Sequence, residues 1–76
     1  MTITLLYFAQ LAEERGLRTQ TMQLSLEAIT LRDLFVQIFQ RQPQGIRFAQ
    51  NQEYVSATTL IMDGDEIAFI PPLGGG

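Results

Sequence analysis

Two strand-like segments that are apolar on both faces, one near each end of the chain, constrain the fold more than any other feature. Residues 2–8 read TITLLYF and residues 67–70 read IAFI, so apolar side chains fall on both sides of each extended segment. A strand of this kind belongs in the interior of a sheet, where both of its faces are covered. We therefore predict that the two segments lie side by side and parallel at the centre of one sheet.

One amphipathic helix is predicted from residue 31 onward. Thr30 is placed to cap it, and Asp33 follows at close to the spacing of a capping box. Apolar residues then recur at helical spacing in one stripe, which is suited to packing across a sheet. The pattern stops before Pro43 and Gly45, which break helices. The stripe consists of Leu31, Leu34, Phe35, Ile38 and Phe39.

Two further elements are predicted between the first strand and this helix. Residues 9–16 have the pattern of a short helix in which Leu11 and Ala12 face inward, and Gly16 is placed to end it in the left-handed conformation. Residues 18–26 form a Thr-rich segment with alternating side chains, which predicts a more exposed strand at or near a sheet edge.

The second half of the chain predicts short strands joined by turns. Two of these strands flank Asn51, a turn residue that tolerates unusual backbone angles. Residues 57–62 suggest a single tight turn, and DGDE at residues 63–66 suggests a hairpin turn with solvated carboxylates. The sequence thus predicts an α+β domain with a mixed sheet of about four to five strands, one main helix and one short helix.

The composition excludes several kinds of chemistry. The chain contains no cysteine, histidine or lysine, so it has no disulfide, thiolate metal site, histidine base or Schiff-base lysine. Asp63, Asp65 and Glu66 lack the spacing of an EF-hand, and we predict no metal site and no cofactor bound by this chain.

Charge and hydropathy point to a cytoplasmic protein that binds neither nucleic acid nor membrane. The net charge is −3 and the cations are scattered, so no basic stripe exists for a phosphate backbone. No apolar run reaches the roughly 20 residues that span a bilayer, and the first residues lack the features of a signal peptide. Four cations are expected to be solvated, the alternative being a place at the rim of an interface with an acidic or nucleotide-binding partner: Arg15, Arg18, Arg41 and Arg47.

The chain finishes with PPLGGG, which suggests a domain of residues 1–72 followed by an extended tail of residues 73–76. Pro71 and Pro72 end the last strand and favour a stiff, extended backbone. Four residues span at most about 13 Å, and glycines pass through a channel that excludes side chains. The tail is therefore suited to delivering a terminal carboxylate into another protein's active site. The alternative is a flexible end without a function.

The motifs resemble those of the small subunit of molybdopterin synthase, in the sulfur-carrier branch of the ubiquitin-like β-grasp family. LLYFAQLAEERG is similar to the family's first strand and short helix, and LEAITLRDLF to the entry into its main helix. DGDEIAFIPPLGGG matches the family's pattern of DGDE, an apolar strand, two prolines and a terminal diglycine. The resemblance covers nearly the whole chain and implies the β-grasp arrangement.

By that resemblance, the reactive group is the carboxylate of Gly76. A separate ATP-dependent adenylyltransferase, similar to ubiquitin-activating enzymes, would adenylate it, and a sulfur donor protein would convert it to a thiocarboxylate. The large subunit would supply the catalytic side chains and pass the sulfur to a pterin precursor, within a heterotetramer. This chain would then be a carrier subunit that is not itself catalytic. The residues that thread the partner channels would be Gly75, Gly74 and Leu73.

A docking surface around the base of the tail is also expected, because so small a domain has little room to bury every large apolar group. Three other functions share parts of the pattern. A carrier for thiazole synthesis or another sulfur pathway would use the same tail, a ubiquitin-like modifier would join it to target lysines, and a plain interaction domain would need no tail chemistry. The candidate docking residues are Phe8, Phe48, Phe69, Ile70, Pro71 and Pro72.

Overall fold

The computed structural model describes residues 1–72, which form one mixed five-stranded sheet and two helices. The predicted tail of residues 73–76 lies outside the described residues. The strand order across the sheet is β2-β1-β5-β3-β4. The elements are β1 (Thr2–Tyr7), α1 (Ala9–Arg15), β2 (Thr19–Gln23), α2 (Leu31–Phe39), β3 (Arg47–Gln50), β4 (Glu53–Val55) and β5 (Glu66–Ile70).

The two strands that are apolar on both faces lie at the centre of the sheet, as predicted. β1 and β5 pair in parallel, with Leu5 beside Ile67 and Tyr7 beside Phe69. β2 pairs with the outer side of β1 and forms one sheet edge, which also confirms its predicted position. Because β1 and β5 are parallel neighbours, their carboxyl ends lie at the same end of the sheet.

The predicted capping box starts helix α2. The Thr30 hydroxyl accepts a hydrogen bond from the Asp33 backbone N–H at 3.1 Å, and the Asp33 carboxylate accepts one from the Thr30 N–H at 3.2 Å. The helix ends at Phe39 and is followed by the C-cap residue Gln40, which takes the left-handed conformation with φ 56°. Its predicted apolar stripe faces the sheet: three of its residues are fully buried and two pack against the core as partly buried neighbours.

An aromatic cluster fills the space between α2 and the sheet. The Phe69 ring lies 5.3 Å from that of Phe35 and 5.6 Å from that of Phe48, in edge-to-face arrangements. Tyr7 and Phe39 complete the cluster, with ring centroids 6.1 and 6.2 Å from that of Phe69. Edge-to-face aromatic pairs add to the stabilisation that burial alone gives.

The other connections mostly match the prediction. Gly16 ends α1 with φ 75°, and its N–H donates to the carbonyls of Ala12 and Glu13. A turn closes where the Thr59 N–H donates to the Ser56 carbonyl, but the following residues continue as an extended segment. Leu60 in that segment forms an isolated bridge with Thr30. No helix among residues 1–72 is long and apolar enough to cross a membrane.

Candidate functional site

Strand β5, which pairs with β1 and β3, leads to Pro71 and Pro72, the last described residues. Pro71, directly after β5, is buried, whereas Pro72 is exposed. Gly45 in the α2–β3 loop has φ 75°, and a β-carbon on it would lie 3.7 Å from Cγ of Pro72. Pro72 therefore leaves the body of the domain beside this loop, and a groove of about 360 Å³ runs alongside, between the loop and the start of α1.

A second groove, called here the sheet-face groove, lies on the side of the sheet away from α2. Four residues in register cross it from strand to strand: Leu6 pairs with Ala68, Ala68 with Ala49, and Ala49 with Tyr54. The two alanines form a low floor between larger side chains, which gives a groove of about 230 Å³. Its lining residues are Leu6, Phe8, Ala49, Gln52, Tyr54, Glu66, Ala68 and Ile70.

The sheet-face groove adjoins the base of the tail. Phe8 directly follows β1 and Ile70 is the last residue of β5. The carboxyl ends of these two strands lie side by side at one end of the sheet. The side chains of Phe8 and Tyr54 are 45% and 66% exposed, although both are large and apolar in their ring portions. Exposed aromatic residues beside a groove are typical of a protein-docking surface.

The structure leaves three residues of the predicted docking patch accessible, for which docking stays a prediction, and it buries the other three, for which the prediction is wrong. Phe8 and Ile70 line the sheet-face groove and Pro72 is exposed, but Phe48 and Phe69 are only 4% and 0% exposed. Both rings point to the side of the sheet covered by α2, where they pack against Phe35. They belong to the core, and the buried Pro71 likewise offers no surface for docking.

Among the groove residues that the sequence analysis missed, Tyr54 is the exposed aromatic one. A usable signal was present, because Tyr54 and Val55 alternate in β4 and only one of them faces the core. The pair of small residues at Ala49 and Ala68 was a second signal, since alanines on paired strands leave space above the sheet. Recognising that signal requires the strand register, which the sequence alone does not provide.

The predicted role of DGDE as a solvated hairpin turn is wrong for Asp65. This residue is 7% exposed, and its carboxylate accepts three hydrogen bonds. The donors are the Met62 N–H at 2.8 Å, the Asn51 side-chain amide at 2.9 Å and the Gln50 side-chain amide at 2.7 Å. Asn51 also accepts a hydrogen bond from the Glu66 N–H at 2.9 Å. The carboxylate therefore joins the β3–β4 turn to the start of β5.

The prediction for Asn51 is confirmed, since it has φ 52° in the turn between β3 and β4. Its amide serves the fold, because both of its polar atoms bond to the segment entering β5. Asp63 is likewise structural, as its carboxylate accepts a hydrogen bond from the Thr2 N–H at 2.8 Å.

The surroundings of Asp65 hold its pKa below the ordinary value. Burial by itself raises the pKa, but the hydrogen bonds from Met62, Asn51 and Gln50 favour the charged form and outweigh burial. Because the folded pKa lies below the unfolded one, the ionised carboxylate stabilises the fold above the unfolded value of about 4, and that contribution is lost as the pH falls through the folded pKa.

The substitution Asp65→Asn is expected to destabilise the domain by about 1–3 kcal/mol near neutral pH, because an amide donor would then face several other donors. The difference in unfolding free energy between the variant and the wild type should narrow as the pH falls below about 4, since the wild type then loses the stabilisation given by the ionised Asp65 carboxylate. Urea unfolding across that pH range measures this, with the exposed Glu53→Gln as the charge-matched control. A difference that stays constant with pH would contradict this role for the carboxylate.

The arginine side chains differ in their contacts and solvent exposure, although the prediction was that all four are solvated. The Arg15 side chain is not fully solvated: its guanidinium lies 5.6 Å from the Tyr7 ring centroid and donates to the Gln20 side chain at 3.2 Å. Arg41 is exposed but lies 5.2 Å from the Phe39 ring centroid, and it pairs with Glu14 at 2.7 Å. Both arginines therefore have structural contacts.

The described residues are thus suited to docking and to presenting the segment after Pro72 to a partner. Their polar clusters are used within the fold, as those around Asp65 and Arg15 show. The residues predicted to react or to thread a channel, Gly76, Gly75, Gly74 and Leu73, lie outside the described residues. Among the described residues, Ile70 lines the sheet-face groove and the exposed Pro72 is the last before them in the chain.

A mixed sheet with two central parallel strands, two outer antiparallel pairs and a capped helix across one face defines a ubiquitin-like β-grasp domain. Comparison with known proteins gives the particular family. The chain belongs to the ThiS family, whose model matches residues 5–76.

One relative is similar in sequence over the whole chain, and two solved structures share the fold. The chain is 43% identical to the molybdopterin synthase sulfur carrier subunit of Chlamydomonas reinhardtii over the full length of both. Its fold matches the crystal structure of SAMP1 from Haloferax volcanii, with a TM-score of 0.78, 24% identity and full coverage of both chains. It also matches a chain from the complex of subunits 1 and 2 of the molybdopterin-converting factor of Helicobacter pylori, with a TM-score of 0.65, 20% identity and full coverage of both chains.

Proposed function

We propose that this protein is the sulfur carrier subunit of molybdopterin synthase. The observation that carries the proposal is the 43% identity, over the full length of both chains, to a protein of that name. The position of Pro72 supports it, since this exposed residue follows closely after Ile70, which lines a groove with exposed aromatic side chains. The motif DGDEIAFIPPLGGG, which carries the resemblance, continues directly from this position.

The chemistry takes place at the carboxylate of Gly76. A carboxylate is a poor electrophile, so one of its oxygens first attacks the α-phosphorus of ATP and releases pyrophosphate. Hydrosulfide released by the donor protein then attacks the acyl adenylate: a C–S bond forms, the C–O bond to AMP breaks, and a thiocarboxylate and AMP are the products. The ATP is bound by the activating adenylyltransferase and not by this chain.

The partner proteins provide the catalytic side chains in this scheme. The thiocarboxylate enters the large subunit, where its sulfur passes to a pterin precursor. Leu73, Gly74 and Gly75 thread the channels of the activating enzyme and of the large subunit, because glycines need little width. The structure that contains two subunits of the Helicobacter pylori factor supports a complex of this kind.

Mass spectrometry tests the proposal directly. The untagged chain is incubated with the activating enzyme, ATP and a sulfur donor, and a gain equal to the difference between one sulfur and one oxygen atom is expected at Gly76. Omitting ATP should prevent the gain, because the adenylate is then not formed. If the complete reaction leaves the mass unchanged while a known carrier gains sulfur, the proposal is wrong.

A capture experiment separates the pathways. A stable complex with the large subunit of molybdopterin synthase is expected, whereas selective binding to a thiazole synthase would assign the carrier to thiamine synthesis. Isopeptide-linked adducts in a lysate would instead indicate a protein modifier.

A further inference from the structure

Ala9, at the junction of β1 and α1, has an unusual backbone conformation. Its φ is 48°, in the left-handed region that residues other than glycine, asparagine and aspartate rarely adopt. Three other non-glycine residues among residues 1–72 have a positive φ, and each has a local reason for it. Gln40 caps the end of α2, while Asn51 and Gln52 form the two-residue turn between β3 and β4. Ala9 is instead the first residue of a helix, so its conformation needs another explanation.

The residues on either side hold Ala9 in this conformation. Tyr7 lies beside Phe69 in the sheet, and its N–H donates to the Arg18 carbonyl at 2.8 Å. On the other side, the side chain of Leu11 is buried in the core. The chain therefore has only residues 8–10 in which to turn from the strand into the helix. A left-handed alanine costs stability, and such strain persists only where the surrounding structure fixes it.

The turn at Ala9 leaves Phe8 in the extended conformation of a strand. Phe8 has φ −125° and ψ 152°, so it continues the alternation of β1: Tyr7 is buried in the core, and Phe8 lines the sheet-face groove. The helix nevertheless starts at once, because the Phe8 carbonyl accepts hydrogen bonds from the N–H groups of Leu11 at 3.0 Å and Ala12 at 3.3 Å. The same turn therefore buries Leu11 and leaves the Phe8 ring accessible.

Phe8 separates two grooves. The sheet-face groove lies on one side of it, and on the other lies a groove of about 730 Å³ between α1 and residues 17–19, called here the α1 groove. Phe8 and Leu6 line both grooves. A partner that enters the two grooves encloses the Phe8 ring from both sides, and side chains enclosed in this way tend to contribute most of the binding energy.

The Phe8 ring also lies near the point at which the tail begins. β1 and β5 are parallel neighbours, and Ile70, the last residue of β5, lines the sheet-face groove together with Phe8. A partner that receives the tail therefore lies against this end of the sheet. One leucine and three glycines offer less surface than the roughly 800 Å² that each side of a stable interface buries, so such a partner needs a further contact.

We propose that Ala9 is a positioning residue for docking: its left-handed conformation holds the Phe8 ring in the orientation that the large subunit of molybdopterin synthase binds. The proposal rests on the proposed function, which names that partner. Fixing the ring before association removes part of the ordering cost of binding. The strain at Ala9 therefore lowers the stability of the free domain and raises its affinity for the large subunit.

The substitution Ala9→Gly separates stability from affinity. Glycine adopts a positive φ without strain, so the melting temperature should not fall. Glycine also frees the junction, so the dissociation constant for the large subunit, measured by calorimetry, should rise about three- to tenfold. At saturating large subunit, sulfur transfer from Gly76 should keep its wild-type rate. A purely structural residue would not lose affinity while stability is kept.

Replacement of Ala9 by D-alanine, in chemically synthesised protein, is the matched comparison. A D-residue favours a positive φ as an L-residue favours a negative one, so the melting temperature should rise by about 4–8 °C. The affinity should be at least that of the wild type, because the junction stays fixed. An affinity loss equal to that of Ala9→Gly would overturn the proposal, since the partner would then contact the Ala9 methyl group itself.

A double-mutant cycle tests whether Ala9 acts through Phe8. In the Phe8→Ala background, Ala9→Gly should change the dissociation constant less than twofold, because no ring remains to be positioned. An undiminished effect would show that Ala9 acts by another route and would overturn the proposal.

The control for added flexibility is Ala28→Gly. Ala28 is exposed, its backbone is not left-handed, and its loop starts at the opposite end of the sheet, where the Leu24 N–H donates to the Met1 carbonyl. This change should lower the melting temperature slightly and leave the affinity unchanged.

The outcomes distinguish this inference from the proposed function. If the wild type binds the large subunit and gains sulfur at Gly76, but Ala9→Gly binds equally tightly, the inference is wrong and the proposed function stands. An affinity loss confined to the activating enzyme would also overturn the assignment to the large subunit. If the wild type neither gains sulfur nor binds the large subunit, the proposed function fails and this inference fails with it.

Discussion

Replacing Gly75 by leucine is expected to lower sulfur transfer to the pterin precursor by about 100-fold or more, while the fold stays intact. A side chain at this position does not fit a channel matched to bare backbone, and a small displacement of a reacting group is enough for a loss of this size. Blocking the Gly76 carboxylate as an amide should abolish transfer, because an amide has no ionised carboxylate oxygen to attack the α-phosphorus of ATP. Both effects are measured as thiocarboxylate formed and as pterin product released.

The control for the added bulk is Gln37→Leu, which changes an exposed position of α2. It should leave thiocarboxylate formation and sulfur transfer at the wild-type rate. The two tail changes should slow the reactions without altering the melting temperature. Full product formation from the amidated protein would end the proposal that the carrier works through its terminal carboxylate.

The substitution Phe69→Ala is expected to cost about 3–5 kcal/mol of unfolding free energy. Its ring is fully buried and lies within about 6 Å of four other aromatic rings, so truncation leaves a cavity at the centre of the core. Small domains have a total stability of about 5–15 kcal/mol, so a large part of it would be lost. Urea unfolding followed by circular dichroism measures the change.

The matched variant is Phe8→Ala, which truncates the same side chain at a residue that is 45% exposed. It should change stability by no more than about 1 kcal/mol and weaken binding of the large subunit about fivefold or more, as an aromatic docking residue would. Equal stability losses in the two variants would contradict the separation of core from docking surface.

The elements of this fold were predictable because each has a local signal. The capping pair Thr30 and Asp33, the apolar stripe after it and the left-handed Gly16 each act within a few residues of chain. The central position of β1 and β5 was predictable for a related reason, since residues that are apolar on both faces need cover on both.

The assignment of side chains to the two faces of the sheet was not predictable in the same way. Alternation shows that Phe69 and Ile70 point in opposite directions, but it does not say which face receives α2. That choice depends on packing between distant segments, and it places Phe48 and Phe69 in the core and Phe8 at the surface. The sheet-face groove has the same origin, since Ala49 and Ala68 become neighbours only through strand pairing.

The role of Asp65 was hidden for a similar reason. An acidic residue beside a turn is usually solvated, and the three donors that surround Asp65 come from positions 50, 51 and 62. Only the strand order, which brings β3 next to β5, places two of these donors within reach of the carboxylate. The hydrogen bonds that allow the Asp65 carboxylate to be buried therefore depend on the strand order of the sheet and cannot be read from the DGDE motif alone.

The central position of β5 has a mechanical consequence. Because β5 pairs with β1 on one side and with β3 on the other, a pull on the segment after Pro72 loads two ladders of hydrogen bonds in shear. Bonds loaded this way share the force, unlike those of an edge strand, which peel apart one after another. We therefore expect a pulling force on the segment after Pro72 to leave the domain folded.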